Sequence, residues 1–231
     1  RERGDATAVA GALRIRLDAA TQRLAFYIVP SAMAFLAIGG VLAAAVYQTG
    51  AFGTDDADYV WLILCGSAVG LLASTLGRLY SSAFYALHDT STPLRFGLIR
   101  ITLAAALGAF SALVLPRYLG LQASAGAAGI TLAGGLAGWI EFLLLRRALC
   151  ARLGRFALPF VELAKLWAAA LLAALAATAA RLTTVGLHPL PRALVVVPIF
   201  CVVYLAMPTW LDVPESAVIT DRLRRGRIGT R

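Results

Sequence analysis

Six separate runs of about twenty apolar residues constrain this chain more than any other feature. They are Leu24–Val46, Tyr59–Tyr80, Leu94–Leu115, Ala123–Leu145, Phe160–Ala180 and Ala193–Leu211. Each is long enough to cross the hydrocarbon of a bilayer as a helix. The runs are continuous, without the in/out alternation of a barrel strand, so helices are expected throughout. Composition agrees: 60% of the 231 residues are hydrophobic and 14% are charged. Soluble domains carry about 45–50% apolar residues and about a quarter charged ones. The expected fold class is an all-α integral membrane protein with six transmembrane helices.

The net charge is +9, and 20 of the 21 basic residues are arginine. A basic balance of this size can mark a nucleic-acid binder. Here the arginines fall in short segments between apolar runs, which a bilayer explains and a nucleic-acid face does not. Five lie in residues 1–23, four in 146–159 and five beyond Leu211, with Arg95 beside the connection between spans two and three. Six spans place all these segments on one side. The other side holds Arg117, Arg181 and Arg192, together with Asp55, Asp56 and Asp58. Fifteen against three predicts that both ends of the chain and the 81–93 connection are cytoplasmic.

Chemistry-bearing constellations are scarce. Cys65, Cys150 and Cys201 fit no disulfide or metal spacing. His88 and His188 have no neighbouring ligand cluster, and no catalytic triad, phosphate loop or dinucleotide fingerprint is present. The reading is therefore non-enzymatic, without cofactor or metal. In "YQTGAFGTDDADY" the three aspartates lack the spacing of a calcium loop. Residues 1–23 carry Val9, Leu13 and Leu17 at four-residue spacing with arginines between them. That suits an amphipathic interfacial helix, or equally the tail of a preceding span. The chain opens at Arg1 without a signal-peptide pattern, and is expected to be a piece of something longer.

The most punctuated stretch is "SSAFYALHDTSTPLRFGLIR", residues 81–100. Pro93 suits the first turn of the following helix, and Ser91 or Thr92 can cap it. Asp89 can accept backbone N–H groups in the turn, and Phe84 and Tyr85 suit the interface belt. Asp89, Thr92 and Pro93 are thus the expected structural turn.

Within this stretch "FYALHDTSTPLR" resembles the signature of the MurJ (MviN) lipid II flippases, part of the larger multidrug/oligosaccharidyl-lipid/polysaccharide exporter superfamily. The flanking "LAFYIVPSAMAFLAIGGVLAAAVYQTGAFGTDD" and "AGAAGITLAGGLAGWIEFLLLRRAL" resemble that family in register. The resemblance covers residues 1 to about 155; beyond that it is limited to span number and a basic tail. It implies a fourteen-helix, two-lobed flippase of which this chain is the C-terminal part. On that footing residues 1–23 are a cytoplasmic or interfacial segment, and 24–155 hold four helices of the second lobe. Residues 156–211 hold the final helix pair, and 212–231 a basic cytoplasmic tail. The implied activity is translocation of the undecaprenyl-linked peptidoglycan precursor from the inner to the outer leaflet by alternating access, in the bacterial cytoplasmic membrane. The implied partners are that precursor, membrane lipids and the missing N-terminal lobe, with no nucleic acid. The implied groove for the lipid tail lies on the last two spans. Alternatives are an exporter of another polyprenyl-linked glycan, or a non-transporting scaffold paralogue.

Ionisable residues inside spans are functional candidates. Arg78, Arg100 and Glu141 all fall in the cytoplasmic third. Arg100 lies seven residues past Pro93, about 10 Å along its helix, and Glu141 five residues before Arg146, about 7 Å. Glu141 can pair with either arginine. The set reads as a structural ion pair, or as a charged vestibule for an anionic headgroup, which the arginine fork suits. The family's usual asparagine stands where this chain has Glu141, which favours a helix–helix pair. Glu162 and Lys165 read as a local pair. Gly134 and Gly138, with Gly126 and Gly129, are expected to let helices approach closely.

Overall fold

The computed structural model describes residues 2–48, 53–114, 123–154 and 160–210. All regular structure among them is helical, in six helices: α1 (Glu2–Tyr47), α2 (Thr54–Ala86), α3 (Ser91–Leu113), α4 (Ala123–Leu153), α5 (Phe160–Thr183) and α6 (Pro189–Trp210). Each is long and apolar enough to cross a membrane. The basic tail after Leu211 and the segment around Arg117 lie outside the described residues. So do the side chains of residues 2–10, including Val9.

α1 has 46 residues, about 69 Å, more than twice the hydrocarbon thickness. No break separates residues 2–23 from the first apolar run: one helix passes through both. Leu17 and Thr21 are buried on the same stripe, so the four-residue spacing marks a packed face of this long helix.

The helices are arranged in a row. α4 lies between α2 and α3, which barely touch each other; α2 packs on α1; α5 and α6 pack together and against α1. The hydrophobic core runs through α1, α2, α4, α5 and α6, with Leu76, Tyr80, Phe84, Phe142, Leu145 and Leu149 at the α2–α4 contact. The Tyr80 and Phe142 rings meet edge to face at 5.3 Å. α5 enters this core through alanines, Ala169, Ala170, Ala173, Ala174 and Ala177, all buried. α3 forms one edge of the row and buries only Pro93 and Gly108.

Hydrophobic area does not drive association in lipid, so close approach and interhelical hydrogen bonds must. At the α2–α4 seam a methyl on Gly70 would collide with the Cα of Gly135, and one on Gly135 would sit 2.9 Å from the Gly70 nitrogen. Gly66 faces Thr131, whose Oγ1 donates to the Ile63 carbonyl of α2 at 3.1 Å. Trp139 of α4 donates Nε1–H to the Val69 carbonyl at 2.8 Å. The expected face is therefore offset by one position. Gly134 has open space around it and Gly138 only a distant neighbour, whereas Gly135 meets Gly70 of the "GSAVG" motif. Gly126 and Gly129 do face a neighbour closely, at Ser111 and Ala112 of α3.

Pro30 interrupts the hydrogen bonds of α1 by removing the N–H that the Phe26 carbonyl would receive. Tyr204 of α6 supplies the missing donor: its hydroxyl donates to Phe26 O at 2.7 Å. A neighbouring helix thus satisfies a carbonyl that lipid cannot.

Candidate functional site

The connection between α2 and α3 is built from the backbone upward. α2 ends with the His88 N–H donating to the Tyr85 carbonyl and the Asp89 N–H to the Phe84 carbonyl, each at 3.0 Å. This nested pair is a Schellman close, and it needs a left-handed residue at the position after the cap. His88 fills it with φ 59°. Histidine is among the residue types enriched there.

Asp89 then starts α3. The Thr92 N–H donates to Asp89 Oδ1 at 3.0 Å, and the Thr92 hydroxyl donates to Oδ2 at 2.6 Å. The expectation that Ser91 or Thr92 caps the helix is corrected: Asp89 is the acceptor, and Thr92 is its donor. Pro93 sits in the first helical turn, where no N–H is required, and is buried. Asp89 also receives Arg152 from the last turn of α4, and the Arg152 guanidinium lies 5.4 Å from the centre of the Phe84 ring. The two Thr92 hydrogen bonds, aided by the Arg152 charge, hold the Asp89 carboxyl down at about 2, below its ordinary 3.8. The turn is therefore a staple between the α2–α3 joint and α4. On the same end, Arg14 of α1 lies against Gly154 just after α4.

Beside this joint a cleft of about 650 Å³ opens between α2 and α3. Ser81, Tyr85, Thr90 and Ser91 supply hydroxyls, Leu94 and Ile101 an apolar flank, and Glu141 of α4 the floor. Glu141 fits because both facing helices have glycine beside it. Its carboxylate oxygens lie 3.7 Å from where a methyl on Gly77 would be, and 3.8 Å from one on Gly97. Arg100 Nη1 donates to Glu141 Oε2 at 3.2 Å, with the arginine side chain 40% exposed and the glutamate 11%.

Sequence reasoning left Glu141 with two possible partners; the structure pairs it with Arg100. Arg78 is exposed and forms no ion pair among the described residues. It shares a stripe of α2 with Ser81 and Tyr85, three and seven positions on. Lys165 and Glu162 pair at 3.5 Å. Asp56 accepts the Gly53 N–H at 2.9 Å and so starts α2. Among the described residues no group of three or more histidine, cysteine or acidic side chains converges as a metal site would require.

Three contributors escaped the sequence reading. Gly77 and Gly97 carried a signal, glycine inside an apolar helix at the depth of an ionisable residue. Arg152 carried none, since nothing separates it in sequence from its neighbouring arginines.

The family model described as lipid II flippase MurJ matches residues 6–204, most of the chain. The chain belongs to the MurJ lipid II flippase family. A curated relative, the probable lipid II flippase MurJ of Rhizobium tropici, is 30% identical over 120 residues, 52% of this chain and 21% of that protein. A solved lipid II flippase MurJ in an inward closed conformation superposes with TM-score 0.63 at 22% identity, covering 86% of this chain and 39% of that one. The chain thus spans about a fifth of the curated relative's length and about two fifths of the solved chain's. The MurJ match reaches through residues 156–204, where the sequence resemblance was confined to span number. It makes this a multi-pass chain of a bacterial membrane transporter family, and the charged cleft at α2–α3–α4 lies within the matched region.

Proposed function

We propose that these six helices serve a lipid II flippase, moving the undecaprenyl-linked peptidoglycan precursor across the cytoplasmic membrane by alternating access. The observation that carries this reading is the family match over residues 6–204. Residues 24–155 are assigned to the second lobe and 156–211 to the closing helix pair. Flipping breaks no bond, so the work left to the protein is to lower the cost of a charged headgroup at membrane depth.

The α2–α3 cleft suits that work. Its hydroxyls can replace headgroup hydration, and Arg78 and Arg100 can meet the pyrophosphate with two parallel hydrogen bonds each. Glu141 holds Arg100 in place between transfers, so that an arriving anion competes with an existing partner and need not order a free side chain. For the lipid tail, the fold offers an apolar groove of about 330 Å³ between α1 and α6, lined by Phe26, Pro30, Ile38, Phe200 and Cys201. This uses one of the two final spans together with α1. Arginine bias along the sequence supports a cytoplasmic location for the turn, the cleft and both ends.

Complementation tests the reading. The intact gene should restore growth and shape to cells depleted of their own flippase, and a tag after Arg231 should be reachable only from the cytoplasm. Failure to complement despite normal membrane abundance contradicts the flippase reading. An externally reachable tag contradicts the topology alone.

A further inference from the structure

The end of the bundle opposite the turn is poor in arginine, yet two arginines converge there among the described residues. Arg181 from the end of α5 and Arg192 from the first turns of α6 line one cavity of about 210 Å³, with Gln48, Thr54, Asp58 and Pro189. That volume holds about seven waters. Arg192 Nη2 donates to the Arg181 carbonyl at 3.1 Å, which fixes its guanidinium across the end of α5. Its Nε is buried without a hydrogen-bond partner. Among the described residues neither arginine makes an ion pair, although Asp58 lines the same cavity. The lining therefore carries two positive charges and one negative, a surplus of one.

A buried donor without a partner is costly, and charge of one sign gathered in a concave site attracts its counter-ion. We propose that Arg181 and Arg192 form a phosphate-binding site at this end, matched to a singly charged phosphate diester such as the headgroup of an anionic phospholipid. The fixed guanidinium of Arg192 offers its remaining fork to the phosphate oxygens, Arg181 closes from the other side, and Asp58 sets the charge at one. Its chemistry does not depend on the flippase reading; its place at the outer leaflet rests on the topology proposed above.

The test uses the purified intact protein in detergent, titrated with phosphatidylglycerol, with phosphatidylcholine of the same acyl chains, or with inorganic phosphate. Native mass spectrometry reads lipid retention, and melting temperature reads the soluble anion. Phosphatidylglycerol should be retained about tenfold over phosphatidylcholine, the scale of one charge-assisted contact. The R181Q/R192Q variant should bring that ratio to about one. D58N should raise phosphatidylglycerol retention severalfold, because the surplus grows from one charge to two; this change of opposite sign decides the matter if the double variant does not fold. Stabilisation by inorganic phosphate that is lost in R181Q/R192Q supports the same site with a soluble source. Equal retention of both lipids without any phosphate effect, or preference unchanged by R181Q/R192Q and D58N alike, overturns the proposal.

Discussion

Two helix interfaces in this chain solve the same problem differently. At α2–α4 the backbones approach until Gly70 and Gly135 touch, and hydroxyl and indole donors from α4 reach α2 carbonyls. At α1–α6 the contact is aromatic, borders the 330 Å³ groove, and relies on one hydroxyl to fill the gap left by Pro30. The first interface leaves no space for a side chain to shift, since packed backbone cannot yield as a rotamer can. The second has slack volume and the Tyr204 hydroxyl as a polar tie. The contrast separates a close-packed region from a loosely filled one: α4 joins α2 and α3 into a unit beside the charged cleft, while the α1–α6 contact leaves the groove open.

The sharpest way to break that comparison is a side chain in the seam. Gly70→Val should cost about 3 kcal/mol or more, the upper range of overpacking, and membrane abundance should collapse. Normal abundance with normal melting would mean the backbones are not in contact. A milder change sharpens the other side. Tyr204→Phe leaves the Phe26 carbonyl without its donor and should cost about 1 kcal/mol, as interhelical hydrogen bonds in membranes do. In a Pro30→Ala background, where the helix regains its own N–H, the same substitution should cost measurably less. A double-mutant cycle on melting temperature reads the difference.

The smallest effect belongs to the staple that adds the α2–α3 joint to the rigid unit. A carboxyl held at about 2 stabilises the folded form above its ordinary 3.8, and that contribution disappears as the pH falls between the two values. Asp89→Asn should therefore lower melting modestly near neutral pH, where the parent's contribution is complete, and the two proteins should converge as the pH falls through that window. A variant whose profile follows the parent's through the window would mean that Asp89 is not held by Thr92 and Arg152.

Helix number and the position of each span were legible in the sequence, because lipid imposes a length and a polarity on every crossing segment. Facing was harder. In "GGLAG" a one-residue offset rotates a helix by about 100°, and periodicity within an evenly apolar run does not reveal which glycine meets a neighbour. Gly66 and Gly70 stood in GxxxG spacing, but their partner was visible only once α4 was beside them. In the turn, the residue types were read correctly and their roles partly exchanged: Asp89, Ser91 and Thr92 can all cap a helix, and which does so depends on the Schellman close that places Asp89 first. The Arg100–Glu141 pairing needed the cleft, since two glycines on different helices make room for that carboxylate.

The α2–α3 cleft is proposed to handle the cargo as well as to hold helices together. Exchanging the two charges, Arg100→Glu with Glu141→Arg, tests it directly, with flipping and membrane abundance measured side by side in the intact protein. The ion pair survives the exchange, so abundance should return to the parent level while flipping stays at least about tenfold lower, because the arginine now sits on the cleft floor in α4. Full recovery of flipping along with abundance would show that the pair only holds helices together, and would contradict the claim.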